Sequence, residues 1–115
     1  MKSDRMRRVD EAVREVLSDA ISTGLKDPRV GFVTVTAVQT SPDLRRARVF
    51  VSVLGSTGVR RRSMDGLRSA HGYLQGRVAS ELRLKHTPAL EFAYDDTGER
   101  AQRIAQLLAE GEERP

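Results

Sequence analysis

At 115 residues the chain has room for one domain and one core, and it holds no stretch of the ~18 to 20 apolar residues that a membrane span needs. The absence of cysteine excludes a disulfide framework and a cysteine zinc site, and the amino terminus MKSDRMRR lacks the apolar core of a secretory signal, so a cytoplasmic protein is expected. Lysine and arginine number 20 against 16 aspartates and glutamates, a net charge of +4, but residues 1–89 carry a net +8 and residues 90–115 a net −4.

Seventeen of the 20 basic residues are arginine. Guanidinium forks match phosphate geometry, so an arginine-rich body points to a polyanionic partner. From Asp4 to Thr23, Met6, Val9, Val13, Val16, Leu17, Ala20 and Ile21 form one apolar stripe at helical spacing. Ser3 or Asp4 caps this helix and Gly24 ends it. Residues 30–38, VGFVTVTAV, are β-branched and read as a strand. TSPD at 40–43 is a turn, and residues 45–54, RRARVFVSVL, alternate. Ala47, Val49, Val51 and Val53 point to one face, with Arg46, Arg48, Phe50 and Ser52 on the other, as a half-buried strand requires. The two strands are expected to pair as an antiparallel hairpin.

GSTGVRRR at 55–62 reads as a flexible basic loop, after which Ser63 caps a helix running to about Leu84. Gly72 sits in the middle of that helix, where glycine costs about 1 kcal/mol relative to alanine. ALEFAY at 89–94 is a third strand. Asp96 reads as the cap of a last helix, with Glu99 reaching back in a capping box. Ala101, Ile104, Leu107 and Leu108 give that helix one apolar face, and EGEERP is a charged, frayed end. The order α-β-β-α-β-α implies an α+β two-layer sandwich: a three-stranded sheet with helices on one face.

Catalytic chemistry finds little support. The two histidines, His71 and His86, have no cysteine to pair with and no obvious set of carboxylates for a metal site. Asp95 and Asp96 precede a helix and read as caps. There is no phosphate-binding loop with its lysine and no dinucleotide fingerprint. No enzymatic activity, cofactor or metal is expected. GSTG has the spacing of a KH-domain loop, but it joins a strand to a helix, and two glycines three apart are a weak signal.

A break at Ala70-His71-Gly72 falls where a KH domain has its helix–loop–helix. With RVDEAVREVLSDAI, LKDPRVGFVTVTAVQTSPDLRRARVFVSVLG and LRSAHGYLQGRVASELRLKHTPALEFAYDDT, the chain resembles the bacterial ribosome-binding factor A family from about Arg5 to Leu108. The resemblance implies a type II KH-like fold whose glycine loop is reduced to a kink. Ala70 would let the half-helices pack, Gly72 would supply backbone freedom at a positive φ, and His71 would lie exposed at the apex. It implies a single RNA-binding domain over residues 1–109 and a short tail at 110–115. It further implies an assembly factor of the small (30S) ribosomal subunit, acting late in 16S rRNA maturation with a role in cold adaptation, and monomeric when free.

The RNA contacts expected on this reading are Arg45, Arg46 and Arg48 on the hairpin and Arg60, Arg61 and Arg62 in the loop. Lys26 and Arg29 follow, then Arg68, His71 and Arg77 around the kink, then Arg83, Lys85 and His86. A general KH-type binder of single-stranded RNA and a protein-interaction module are the alternatives. Footprints on many transcripts would mark the first, and a ribonuclease-insensitive pull-down the second.

Overall fold

Ser3 opens the first helix: its Oγ accepts the Met6 N–H at 3.1 Å, filling one of the donors a helix start leaves unpaired. The computed structural model describes residues 2–113. In it α1 spans Asp4–Asp19 and buries Val9, Val13, Val16 and Leu17 along one stripe. Its end loosens into a π-helical turn, Ala20–Gly24. Here the Ser22 and Thr23 hydroxyls donate to the carbonyls of Ser18 and Asp19 at 2.8 and 2.7 Å, a competition with the ladder that bends helices.

Strands β1 (Val33–Thr40), β2 (Arg46–Val53) and β3 (Ala89–Tyr94) form one sheet in that order. β1 and β2 pair antiparallel, with a bulge at Thr36, while β2 and β3 run parallel. A parallel pair needs a crossover. The helices α2 (Thr57–Ser69) and α3 (His71–Glu81) supply it. Val35, Val38, Ala47, Val49, Val51, Leu90 and Phe92 face the helices and close a core with Val13, Leu17, Leu67, Leu74 and Val78. The other sheet face carries Arg46, Arg48, Phe50 and Ser52. Asp10 ties α1 to this frame. Its buried carboxylate accepts the Thr40 N–H at 2.8 Å and hydroxyl at 2.7 Å, with the Lys2 ammonium on the other oxygen.

Four expectations are corrected. The basic segment 55–62 is not a loop: Ser56 caps α2, accepting the Val59 N–H at 3.3 Å, so Arg60, Arg61 and Arg62 are helical. Gly55 alone has positive φ among the glycines, +132°, at the turn out of β2. Ser63 is no cap. It is fully buried in α2, accepting the Gly31 N–H at 3.1 Å and donating to the Arg29 carbonyl at 3.3 Å.

The kink lies at Ala70 (φ −86°, ψ 8°), and Gly72 is an ordinary helical residue of α3 with nothing within 4 Å of a Cβ placed on it. Of the glycines on the α2–α3 crossover, the one that packing requires is Gly66, where a Cβ would stand 2.6 Å from Val30 Cγ2. At the last helix, α4 (Thr97–Glu113), no capping box forms. Asp95 accepts the Thr97 N–H at 2.9 Å, Asp96 pairs with Arg100 at 3.2 Å, and Glu99 turns to Tyr94 and Arg60. The apolar face of α4 is not packed on the body: Ile104, Leu107 and Leu108 are 57, 60 and 66% exposed. Residues 114 and 115 of the expected tail lie outside the described residues.

Candidate nucleic-acid interface

A cation already paired with a carboxylate of its own fold must give up that partner before it can reach a polyanion. Several expected contacts are so taken. Arg29 forks onto Asp27 through three bonds of 3.1, 3.2 and 2.7 Å. This contact holds the Asp27 carboxyl below the usual carboxylate range. Arg77 donates to Asp19 at 2.9 Å and Tyr73 at 3.0 Å and also pairs with Glu81, which together raise its pKa further. It therefore staples α3 to the end of α1. Arg60 lies 4.5 Å over the Tyr94 ring and pairs with Glu99 at 3.3 Å. Arg48 faces Glu91 at 3.7 Å, an exposed pair of the kind that contributes little.

His71 is placed against β3. Its Nε2 lies 3.0 Å from the Leu90 carbonyl, so that nitrogen donates. Next to it Gln75 donates to the Pro88 carbonyl at 2.7 Å and accepts the Leu90 N–H at 3.0 Å. Together the two side chains cover the outer edge of β3 at its start, where strand groups would otherwise stand unpaired.

Among the described residues, Arg45, Arg46, Arg61, Arg62, Arg68, Lys26, Arg83 and Lys85 have no carboxylate within ion-pair distance, and neither do Arg5 and Arg8. Six of these lie on three segments at one end of the molecule, though not on one face: Arg5 and Lys85 line the crevice there, whereas Arg46, the first residue of β2, lies on the open sheet face beside Arg48 and Glu91. The β1–β2 turn brings Arg45 and Arg46, the first turns of α1 bring Arg5 and Arg8, and the loop from α3 to β3 brings Arg83 and Lys85. The three segments meet in a crevice of about 150 Å³ lined by Arg5, Pro42, Asp43, Leu44, Leu84, Lys85 and His86. Leu44 holds the turn at φ +59°, a left-handed conformation costing a non-glycine residue about 1 to 2 kcal/mol, and its side chain packs into the crevice. The Ala89 N–H donates to the Arg45 carbonyl at 2.8 Å, locking the turn to β3. Asp43 is the acid among them. Its carboxyl is held below its usual range by the Ser41 hydroxyl and the Arg45 N–H.

Arg61, Arg62 and Arg68 lie exposed on α2, and Lys26 is exposed before Pro28. Neither set joins the basic end. Arg5 and Arg8 were not singled out from sequence. The available signal was their position: three apart, flanking an apolar stripe, within the basic segment MKSDRMRR. No cluster of three or more His, Asp or Glu residues among those described is arranged to hold a metal ion.

Fold and site together define a small α+β domain of KH-like layout with one strongly cationic end. The family model for ribosome-binding factor A matches residues 5–108. Ribosome-binding factor A of Anaeromyxobacter sp. (strain Fw109-5) is 47% identical over 111 residues, covering 96% of this chain and 91% of its own. The crystal structure of ribosome-binding factor A from Thermus thermophilus superposes with a TM-score of 0.69 at 26% identity, covering 77% of this chain and 94% of that one. The Thermus thermophilus homology model fitted into the cryo-EM map of a 30S complex gives a TM-score of 0.61 at 27% identity, covering 83% and 96%. The chain belongs to the ribosome-binding factor A family.

Proposed function

We propose that this protein is a cytoplasmic assembly factor that binds immature small ribosomal subunits through their 16S rRNA and acts late in maturation of that RNA. It leaves before translation, and it matters most in the cold, when misfolded RNA helices rearrange slowly. Residues 1–109 act as a single RNA-binding domain, with 110–115 as a charged tail. The observation carrying this reading is membership of the family together with likeness to a relative fitted into a 30S complex.

The mechanism is binding without chemistry. Arg5, Arg8, Arg45, Arg46, Arg83 and Lys85 form the primary phosphate-contacting surface, and His86 lines the same crevice. Arg61, Arg62, Arg68 and Lys26 supply secondary contacts, and Arg48 contributes by exchanging Glu91 for phosphate. Because the hairpin turn, α1 and the α3–β3 loop are locked together, the cations hold a fixed spacing and favour one RNA conformation. A ligand shifts a two-state equilibrium only through such differential affinity.

The test is sedimentation of tagged protein in cell lysate, with 16S processing followed in a deletion strain at low temperature. Co-sedimentation with free small subunits and accumulation of precursor 16S RNA are expected. Normal processing in the cold would contradict the assembly role.

A further inference from the structure

The molecule has a radius of gyration of 16.7 Å, against about 13 Å for a compact chain of its length, because α4 stands off the body. A lone helix of this size is marginal in water, and this one carries Ile104, Leu107 and Leu108 uncovered on one side. It ends in the acidic run EGEE at residues 110–113. At the basic end, a groove of about 400 Å³ has an apolar floor of Val9, Ala12, Leu82 and Leu84 and a rim of Arg5 and Arg8. Helix and groove are complementary in polarity and opposite in charge.

They cannot meet within one chain. The root of α4 is held by Asp95, which accepts from Thr36 at 2.7 Å, and by the ion pair between Arg60 and Glu99. That root adjoins the carboxyl end of β3, whereas the groove lies beyond its amino end, a strand length of about 20 Å away. The apolar stripe sits only about 10 to 17 Å along the helix from its root. We propose that α4 of one copy lays Ile104, Leu107 and Leu108 into the Val9–Leu84 groove of a second copy, with its acidic end on Arg5 and Arg8. The exchange is reciprocal, so both grooves of a two-fold dimer are filled. Each contact is small, so the dimer is weak and forms with rising concentration, in place of the monomer expected from sequence. Arg5 and Arg8 also belong to the surface assigned to RNA, so RNA and the second copy compete for them.

Sedimentation equilibrium of the full chain in low salt tests this without any RNA, so its result is independent of the ribosomal reading. The average mass should climb with concentration from 12.8 kDa toward twice that value, and the rise should weaken with added salt. Leu107→Asp, on an exposed position, should stay at 12.8 kDa throughout, and so should Arg8→Glu or Glu110→Arg alone. An equimolar mixture of the Arg8→Glu and Glu110→Arg chains should recover association, because both contacts of the mixed dimer then pair opposite charges, one as in the wild type and the other with its signs reversed. A wild-type chain that stays at monomer mass at every concentration overturns the proposal. Association that survives Leu107→Asp, or that Leu107→Asp abolishes while Arg8→Glu leaves it unchanged, also overturns it, since α4 would then not be seated in this groove.

Discussion

Two glycines on one crossover separate space from conformation. Gly72 is exposed, helical and surrounded by nothing, so Gly72→Ala should stabilise the fold by up to about 1 kcal/mol and leave subunit binding unchanged. Gly66→Ala should lower stability, because its Cβ meets Val30 where the loop before β1 packs on α2. Denaturation curves of the two variants check both signs. Loss of stability in Gly72→Ala would show that the kink is held elsewhere than at Ala70. A mid-helix glycine is visible in sequence, but whether it bends the chain depends on φ and on neighbours some thirty residues away, which no local pattern encodes.

Asp95 carries the acid-side prediction. Hydrogen bonds from the Thr97 hydroxyl, then the Thr36 hydroxyl and the Thr97 N–H, hold its carboxyl below the ordinary value. The unfolded chain therefore takes up this proton first, near pH 3.9. The stabilisation is present above that pH and is lost as pH falls through the folded value. Asp95→Asn should be less stable than wild type at pH 7, with the gap closing toward pH 3. Chemical denaturation at the two pH values decides it, and a gap that widened in acid would show that these hydrogen bonds do not favour the ionised form.

At the scale of elements, the strands were legible because one face is buried: the alternation of Ala47, Val49, Val51 and Val53 matches their burial. The start of α2 was not. Polar GSTGVRRR resembles a loop, and a serine ahead of an apolar run resembles a cap, yet Ser56 begins the helix and Ser63 is buried inside it. Ser56→Ala should lower stability by about 1 kcal/mol, read from thermal or chemical denaturation. Ion pairing was equally hidden. Arg60 meets Glu99 from 39 residues away and Arg77 meets Asp19 from 58, so sequence could not separate engaged arginines from available ones. Arg60→Ala should speed amide hydrogen exchange in the first turns of α4 while weakening subunit binding less than loss of either Arg46 or Lys85. Unchanged exchange in α4 would mean that Glu99 and Tyr94 hold the helix root without Arg60.

At the scale of the whole molecule, the chain is bipolar. Cations without internal partners collect where the β1–β2 turn, α1 and the α3–β3 loop converge, and the uncovered apolar helix starts at the other end of the sheet. Composition announced a polyanionic partner, and the local motifs carried the family resemblance. The location of the basic end required the tertiary fold, since its members span Arg5 to Lys85.

The most direct measurement is the salt dependence of small-subunit binding for wild type and a folded variant carrying Arg8→Gln, Arg46→Gln and Lys85→Gln, one change on each of the three converging segments. If all three touch phosphate, the slope of log affinity against log salt should flatten by roughly 2 to 3, at about 0.7 to 0.9 per lost contact. The same three-residue change at Arg61, Arg62 and Arg68 should flatten it less. An unchanged slope in the first variant would contradict the assignment of the basic end as the RNA-binding surface.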